Sequence, residues 1–288
     1  MTDVERFEDV VYGYKDGMGL LMDVYVPPGA RSGAGVIVAI SGGWSTDLSR
    51  RHDLLMDPDG WGTLPKCLLD AGYVVFAVAH GTQPRYSIEE LRPDVPRAVR
   101  YVRHHARRFG VDPRRLGIVG GSSGGHVSLM TGLAPPAAVA DAADPVDRES
   151  SDLQAVVAYF PPTDLLNYGQ IGVSMLESHG SSRAAPLDFR HFDEVAGRFE
   201  RVTDAKELRA CFERNSPVCH VSASNPPVLL IHGDNDELVP LQQSERLCAE
   251  LERAGITHKL VVLPGHGHAW PPMGTGQPEV IDWFSRYL

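Results

Sequence analysis

The chain has 288 residues, 43% of them hydrophobic and 22% charged, with four cysteines and a formal net charge of −10. This composition excludes a disordered or fibrous protein, and the length suits one large α/β domain or two small ones. The acidic balance repels polyanions, so nucleic acid, anionic membrane surfaces and highly phosphorylated substrates are not expected partners, whereas neutral small molecules are.

Residues 1–17, MTDVERFEDVVYGYKDG, carry acidic side chains where a signal peptide needs a basic start and an apolar run, and no apolar stretch approaches membrane-spanning length. A cytoplasmic protein is expected. Cys67, Cys211, Cys219 and Cys248 form no CxxC pair, so neither a zinc site nor a disulfide framework is expected, and the thiols read as free.

Two apolar stretches, 10–14 and 20–26, the second ending at Pro27-Pro28, predict an antiparallel hairpin at a sheet edge. The runs at 36–40, 73–79, 116–119, 153–159, 228–231 and 259–263 are short, rich in β-branched residues and without strict alternation. Such runs are expected of strands covered on both faces. Between them, 61–70, 92–109, 123–131, 240–254 and 278–288 read as helices, several closed by glycine. Strand and helix in alternation predict right-handed βαβ units and a single α/β domain over 1–288, with a mostly parallel sheet covered by helices on both faces. In 92–109, Val95, Ala98, Val99 and Val102 recur at helical spacing, and the arginines opposite them are expected to form a solvated basic face. Residues 133–152 read as a surface loop or insertion. Residues 163–215, mixed in character and rich in Gly, His and charge, are expected to be a lid inserted over the active site.

The chemistry concentrates at residues 116–126, LGIVGGSSGGH: an apolar strand, a GxSxG motif and a helical segment. Small residues flank the serine of such a motif because the sharp strand-to-helix turn leaves no room for Cβ atoms and pushes the hydroxyl out above the sheet. Counted from Ser123, glycines stand at −2 and +2, Gly121 and Gly125. On that count Ser123, rather than the adjacent Ser122, is expected to be the nucleophile. A phosphate-binding loop is the alternative reading of the glycines, but no GxxxxGK[ST] is present.

The stretch 110–126, GVDPRRLGIVGGSSGGH, resembles the DPxRIxxxGxSxGGH segment of α/β-hydrolase serine esterases, in particular the hormone-sensitive-lipase-like group and its bacterial feruloyl- and acetyl-esterase relatives. The resemblance runs from Leu20 to the C-terminus and implies the order Ser, Asp, His for the catalytic groups. PPVLLIHGDNDELVP, residues 226–240, is similar to the family's strand followed by HGxxDxxVP, which implies Asp236 as the acid, with Asp234 the alternative. KLVVLPGHGHAW, residues 259–270, is like the family's strand followed by GxGH and implies His268 as the base, with His266 a loop residue. ISGGW, residues 40–44, resembles the HGG(G)W oxyanion loop, with Ser41 where the family has histidine. It implies backbone donors at Gly43 and Trp44, joined by Gly124 as the residue after Ser123. The stretch 80–86 takes the place of a turn that supports the pocket wall, and His126 is expected to pack and hydrogen-bond.

The expected function is therefore hydrolysis of a small carboxylic ester through an acyl-enzyme, with no cofactor and no metal. Trp44, Tyr168 and Trp270 are candidates to line the substrate pocket. The charged residues of 163–215 argue against a broad apolar surface for aggregated lipid, favouring short-acyl or compact aromatic esters. A prolyl-oligopeptidase-like peptidase shares the triad order and is the alternative. A metallohydrolase using Asp234, Asp236, His266 and His268 leaves the GxSxG motif unexplained, and a non-catalytic receptor on this fold would usually lack a triad member.

Overall fold

Val36, Ile37, Val38, Ala39 and Ile40 divide between the two faces of the molecule. Val36, Val38 and Ile40 pack in one hydrophobic cluster, and Ile37 and Ala39 in another. That is the period of two expected of a strand buried on both sides, and it explains why such strands read as continuous apolar runs. The computed structural model describes residues 4–29, 31–46, 63–179, 185–268 and 276–288. In it these strands assemble into an eight-stranded sheet.

The first two strands, β1 (Glu5–Lys15) and β2 (Met18–Val26), form the antiparallel hairpin predicted at one edge. Antiparallel pairing with β4 (Val74–Val78) joins β2 to the rest of the sheet. From β4 onward, β3 (Gly35–Ala39), β5 (Leu116–Gly121), β6 (Ala155–Tyr159), β9 (Val228–Gly233) and β10 (His258–Leu263) pair in parallel. Helices α1 (Thr63–Asp70) and α6 (Gln277–Tyr287) cover one face through Leu64, Leu68, Val280 and Phe284. The other face packs under α2 (Asp94–His104), α3 (Ser123–Leu133) and α5 (Gln242–Arg253), through Val95, Val99, Leu129, Leu133, Leu247 and Leu251. This is the α/β-hydrolase architecture, and it brings the C-terminal ends of β3, β5, β9 and β10 to one edge of the sheet, where an open α/β sheet holds its site.

The structure departs from the predicted elements in two places. The helix expected over 92–109 is divided: α2 ends at His104, and a separate turn of helix runs over Ala106–Phe109. An additional short helix, Ile88–Leu91, is opened by a capping box in which Ser87 and Glu90 satisfy each other's backbone N–H groups, a signal present in the sequence as SIEE. The basic face of α2 is also not simply solvated. Arg100 is buried and donates to the carbonyls of Pro136 and Ala137, and Arg103 donates to those of Pro113, Ser150 and Asp152. Arg97 pairs with Asp144 and Asp147. The planar guanidinium fork suits this task, since one side chain satisfies several carbonyls that no secondary structure pairs, and segment 134–152 is thereby held on the helix.

Between β6 and β9, the described part of 163–215 contains a short helix at Met175–His179, the hairpin of β7 (Arg190–Asp193) and β8 (Arg198–Arg201), and α4 (Ala205–Arg214). Phe192 and Phe199 stack edge-on across the hairpin and are exposed among charged neighbours. Among the described residues no helix is long and apolar enough to cross a membrane.

Candidate active site

The turn after β5 decides which serine reaches the cleft. Ser122 has φ 52° and ψ −122°, a conformation that side chains other than glycine rarely adopt, as expected of a strained nucleophile turn. Its N–H donates to Tyr159 O and its carbonyl accepts from His126 N–H, so the strain is held from both sides. A Cβ at Gly120 would lie 2.4 Å from Gly124 O, and one at Gly124 would lie 2.5 Å from Ala39 O. Both contacts are with backbone, which cannot give way. The glycines that the turn requires are therefore Gly120 and Gly124, the −2 and +2 neighbours of Ser122.

The expectation centred on Ser123 is corrected by this geometry. Ser123 begins α3, is 1% exposed, and its Oγ faces Ser41 and Gly42 beneath the turn. Ser122 Oγ lies 3.0 Å from His268 Nε2. In GGSSGG both serines have glycines at −2 and +2, so the motif alone admits either register. The signal that separates them was in the same stretch: GxSxGGH places its histidine four residues after the serine, and His126 is four after Ser122. The shift moves one further residue, because the backbone amide that follows Ser122 is that of Ser123, not of Gly124, which is packed against Ala39.

Asp236 stands in the turn after β9, its Oδ1 accepting from the N–H groups of Leu238 and Val239 at 2.9 and 2.8 Å. His268, in the turn after β10, places Nδ1 2.8 Å from Asp236 Oδ2. Burial by itself raises the Asp236 carboxyl. Hydrogen bonds from His232, His268 and the Val239 amide outweigh it and hold the group well below the usual carboxylate range. An ionised Asp236 accepts the Nδ1 proton of His268, which leaves Nε2 as an acceptor toward Ser122. Phe160, at φ 35° just past β6, tilts its ring against His268 with centroids 4.5 Å apart and limits where the imidazole can lie. His232, wholly buried, donates from Nε2 to Val239 O with Asp236 Oδ2 at 3.5 Å, and its Nδ1 meets Ser244 Oγ. Phe160 did not stand out in the sequence, since it reads as ordinary core, and His232 entered only as the first residue of HGxxDxxVP, with no role of its own. The alternatives lie elsewhere. Asp234 accepts from Gly265 N–H and ties the two turns together, while half-buried His266 turns to Pro264 O.

The loop after β3 supplies the opposite wall. Ser45 N–H closes a turn onto Gly42 O, with Gly43 and Trp44 both left-handed at φ 65° and 61°. Only a turn with positive φ at both central positions demands this, and it aims the intervening amides away from the turn's own hydrogen bond. The Trp44 indole N–H donates to His126 Nδ1 at 3.2 Å, and His126 Nε2–H donates to Asn215 O at 2.8 Å. One neutral imidazole thus links the loop, α3 and the end of α4.

Burial lowers His126 to about 4. The folded state then binds this proton less readily than the unfolded one, so the stability contribution is full above the ordinary histidine value and is lost as pH falls toward 4. Buried His80 is lowered in the same sense by desolvation. Acidification from pH 7 to 5 is expected to remove about 2 kcal/mol through His126 alone. In urea denaturation His126→Gln should start less stable at pH 7 yet lose less over this interval than wild type. An equal loss in both proteins would refute the assignment.

Ser122, His268, Gly42, Gly43 and Trp44 open onto a cleft of about 420 Å³ whose other walls include Phe160, Pro162, Tyr168 and Met175. Of the three aromatic candidates, Trp44 and Tyr168 line it, both largely buried, with Tyr168 Oη donating to Leu238 O. Trp270 lies outside the described residues. Segment 163–215 supplies Tyr168, Met175, His179, Ala185 and Pro186.

The chain has relatives of known kind. The chain is 27% identical to esterase LipQ of Mycobacterium tuberculosis over 95% of its own length and 59% of LipQ. It is 28% identical to the probable carboxylic ester hydrolase LipM of the same organism, over 85% of this chain and 51% of LipM. It thus spans little more than half the length of these relatives. In fold it is similar to a truncated form of a carbohydrate esterase from gut microbiota, with a TM-score of 0.78, 23% identity, and coverage of 98% of this chain and 96% of that one. The BD-FAE family model matches residues 22–251, and the chain belongs to the BD-FAE family of α/β-hydrolase esterases.

Proposed function

We propose that the protein hydrolyses small carboxylic esters through an acyl-enzyme, with Ser122 as nucleophile, His268 as general base and acid, and Asp236 as the group that orients and charges the imidazole. The observation that carries this reading is His268 lying between Ser122 Oγ and Asp236 Oδ2 at 3.0 and 2.8 Å. Ser122 Oγ attacks the ester carbonyl as His268 Nε2 takes its proton. The proton then passes to the departing alcohol, and water repeats the sequence on the acyl-enzyme. The negative oxygen of each tetrahedral intermediate needs N–H donors with no other partner. Among the described residues, Gly43 N–H and Trp44 N–H have none, and Ser123 N–H opens α3, where no intrahelical acceptor exists. The esterase names of the relatives support the reaction class.

Segment 163–215 acts in this reading as a cap, because it contributes Tyr168, Met175, His179, Ala185 and Pro186 to the walls of the cleft. A cleft of about 420 Å³ lies toward the small end of ligand sites, roughly 300–1,000 Å³, and its walls combine aromatic rings with short apolar groups. Short-acyl or compact aromatic esters are the expected substrates. Across p-nitrophenyl esters from acetate to palmitate, kcat/KM should peak among the short chains and exceed that for a prolyl amide. A maximum at ten or more carbons, or faster turnover of the amide, would overturn the preference. A serine-directed organophosphate should abolish activity, and a chelator should leave it intact; the reverse pattern would favour metal-dependent hydrolysis.

A further inference from the structure

Ser123 Oγ is buried directly beneath the proposed nucleophile, and the reaction leaves it unused. It receives the N–H of Gly42 at 3.2 Å and lies 3.3 Å from Ser41 Oγ. Two groups of the oxyanion loop, the Ser41 hydroxyl and the Gly42 amide, thus meet at one buried hydroxyl, that of the first residue of α3. An amide has one hydrogen. While Gly42 N–H is bound to Ser123 Oγ it is not available to a substrate oxygen, although Gly42 itself lines the cleft. Without the hydroxyl that half-buried amide would be a donor seeking an acceptor, with the loop free to turn it toward the cleft.

We propose that Ser123 and Ser41 form a hydroxyl clamp that fixes the oxyanion loop to the nucleophile turn, commits the Gly42 amide to structure and leaves the Gly43, Trp44 and Ser123 amides for the reaction. This inference rests on the reading of Ser122 as nucleophile. It makes Ser123 a positioning residue, acting on the reaction through the backbone it holds. It also answers how the loop is tethered where the resemblance leads one to expect a histidine. The side chain at 41 joins a serine at 123, and the anchor lies against the nucleophile turn itself. On the far side the loop is secured separately, by the Trp44 indole on His126 and by Gln83 N–H donating to Trp44 O. Removing the clamp should therefore loosen the donors without releasing the loop.

The position of the donors matters only when charge develops on the oxygen, so the effect should fall on kcat and spare KM. Ser123→Ala is expected to lower kcat on p-nitrophenyl acetate by about 10-fold, with KM within about 2-fold of wild type, in line with partial misplacement of an oxyanion donor whose full removal costs roughly 10²–10³. The affinity of phenylboronic acid, which forms a tetrahedral adduct on the nucleophile, should weaken in parallel. Because Ser41 and Ser123 share one interaction, the Ser41→Ala/Ser123→Ala double variant should lose no more than Ser123→Ala alone. Ser123→Thr, which keeps the hydroxyl, should recover most of the loss, and thermal unfolding of each variant separates a positioning defect from global instability.

Wild-type kcat and boronate affinity in Ser123→Ala, losses confined to KM, or multiplicative losses in the double variant would each refute the clamp while leaving Ser122 as nucleophile. Abolition of activity in Ser123→Ala with activity kept in Ser122→Ala would instead overturn the proposed reaction scheme from which the clamp follows.

Discussion

Replacing Ser122 by alanine is expected to lower kcat for p-nitrophenyl acetate by about 10³-fold or more while leaving the fold intact. The side chain is small and partly buried, and its Oγ bonds to His268. Alanine also fits the same backbone no worse than serine, because the positive φ is a property of the turn and not of the hydroxyl. What the substitution removes is the nucleophile alone. Residual activity should be of the size that oxyanion binding and proximity supply without covalent catalysis. The decisive comparison is with Ser123→Ala in the same assay. A large loss at 122 against a modest one at 123 supports the register seen in the structure. Equal, near-complete losses would mean that the turn, and not one hydroxyl, is being broken, and circular dichroism with thermal unfolding would show it.

The second large effect is expected at Asp236. Asp236→Asn should lower kcat at pH 7 by about 10³- to 10⁴-fold with little change in KM, because an amide in that place no longer selects the Nδ1–H tautomer nor stabilises the imidazolium formed as Ser122 attacks. The same carboxylate carries a stability consequence whose sign follows from its depressed value. A carboxyl that ionises more readily in the folded than in the unfolded state stabilises the fold above the ordinary carboxylate range. That contribution is lost as the pH falls through the folded value. Asp236→Asn should therefore be less stable than wild type at pH 7, and the gap should narrow below pH 4. The two turns make this plausible in mechanical terms, since Asp236 Oδ1 also orders the Leu238 and Val239 amides and asparagine retains that acceptor. The loss of activity should thus greatly exceed the loss of stability, and a variant that unfolds at pH 7 would contradict this.

Most of the architecture was legible in the sequence because burial leaves a periodic trace. Runs such as 36–40 and 228–231 are apolar on successive residues because both faces of the strand are covered, and the edge hairpin mixes exposed and buried positions because only part of it is. The division of the helix at 92–109 was not legible, since no proline or glycine marks His105. Nor was the role of Arg100 and Arg103, whose carbonyl partners lie 10 to 49 residues away and become neighbours only through the fold.

The active site divides in the same way. The sequence by itself determined that a serine would stand at the end of β5, an acid in the turn after β9 and a histidine in the turn after β10, because each follows an apolar strand and carries its own local motif. Which of two adjacent serines faces the histidine is decided by the tertiary structure, and in the sequence only the spacing to His126 tells them apart. GGSSGG is symmetric about its centre, so spacing to glycine is the same for both hydroxyls. The asymmetry comes from backbone that the sequence does not display: Gly124 O against Gly120, Ala39 O against Gly124, and Tyr159 O on the Ser122 amide. Those close approaches, made by one helix and two strands, turn one hydroxyl up to His268 and the other down onto Ser41 and Gly42.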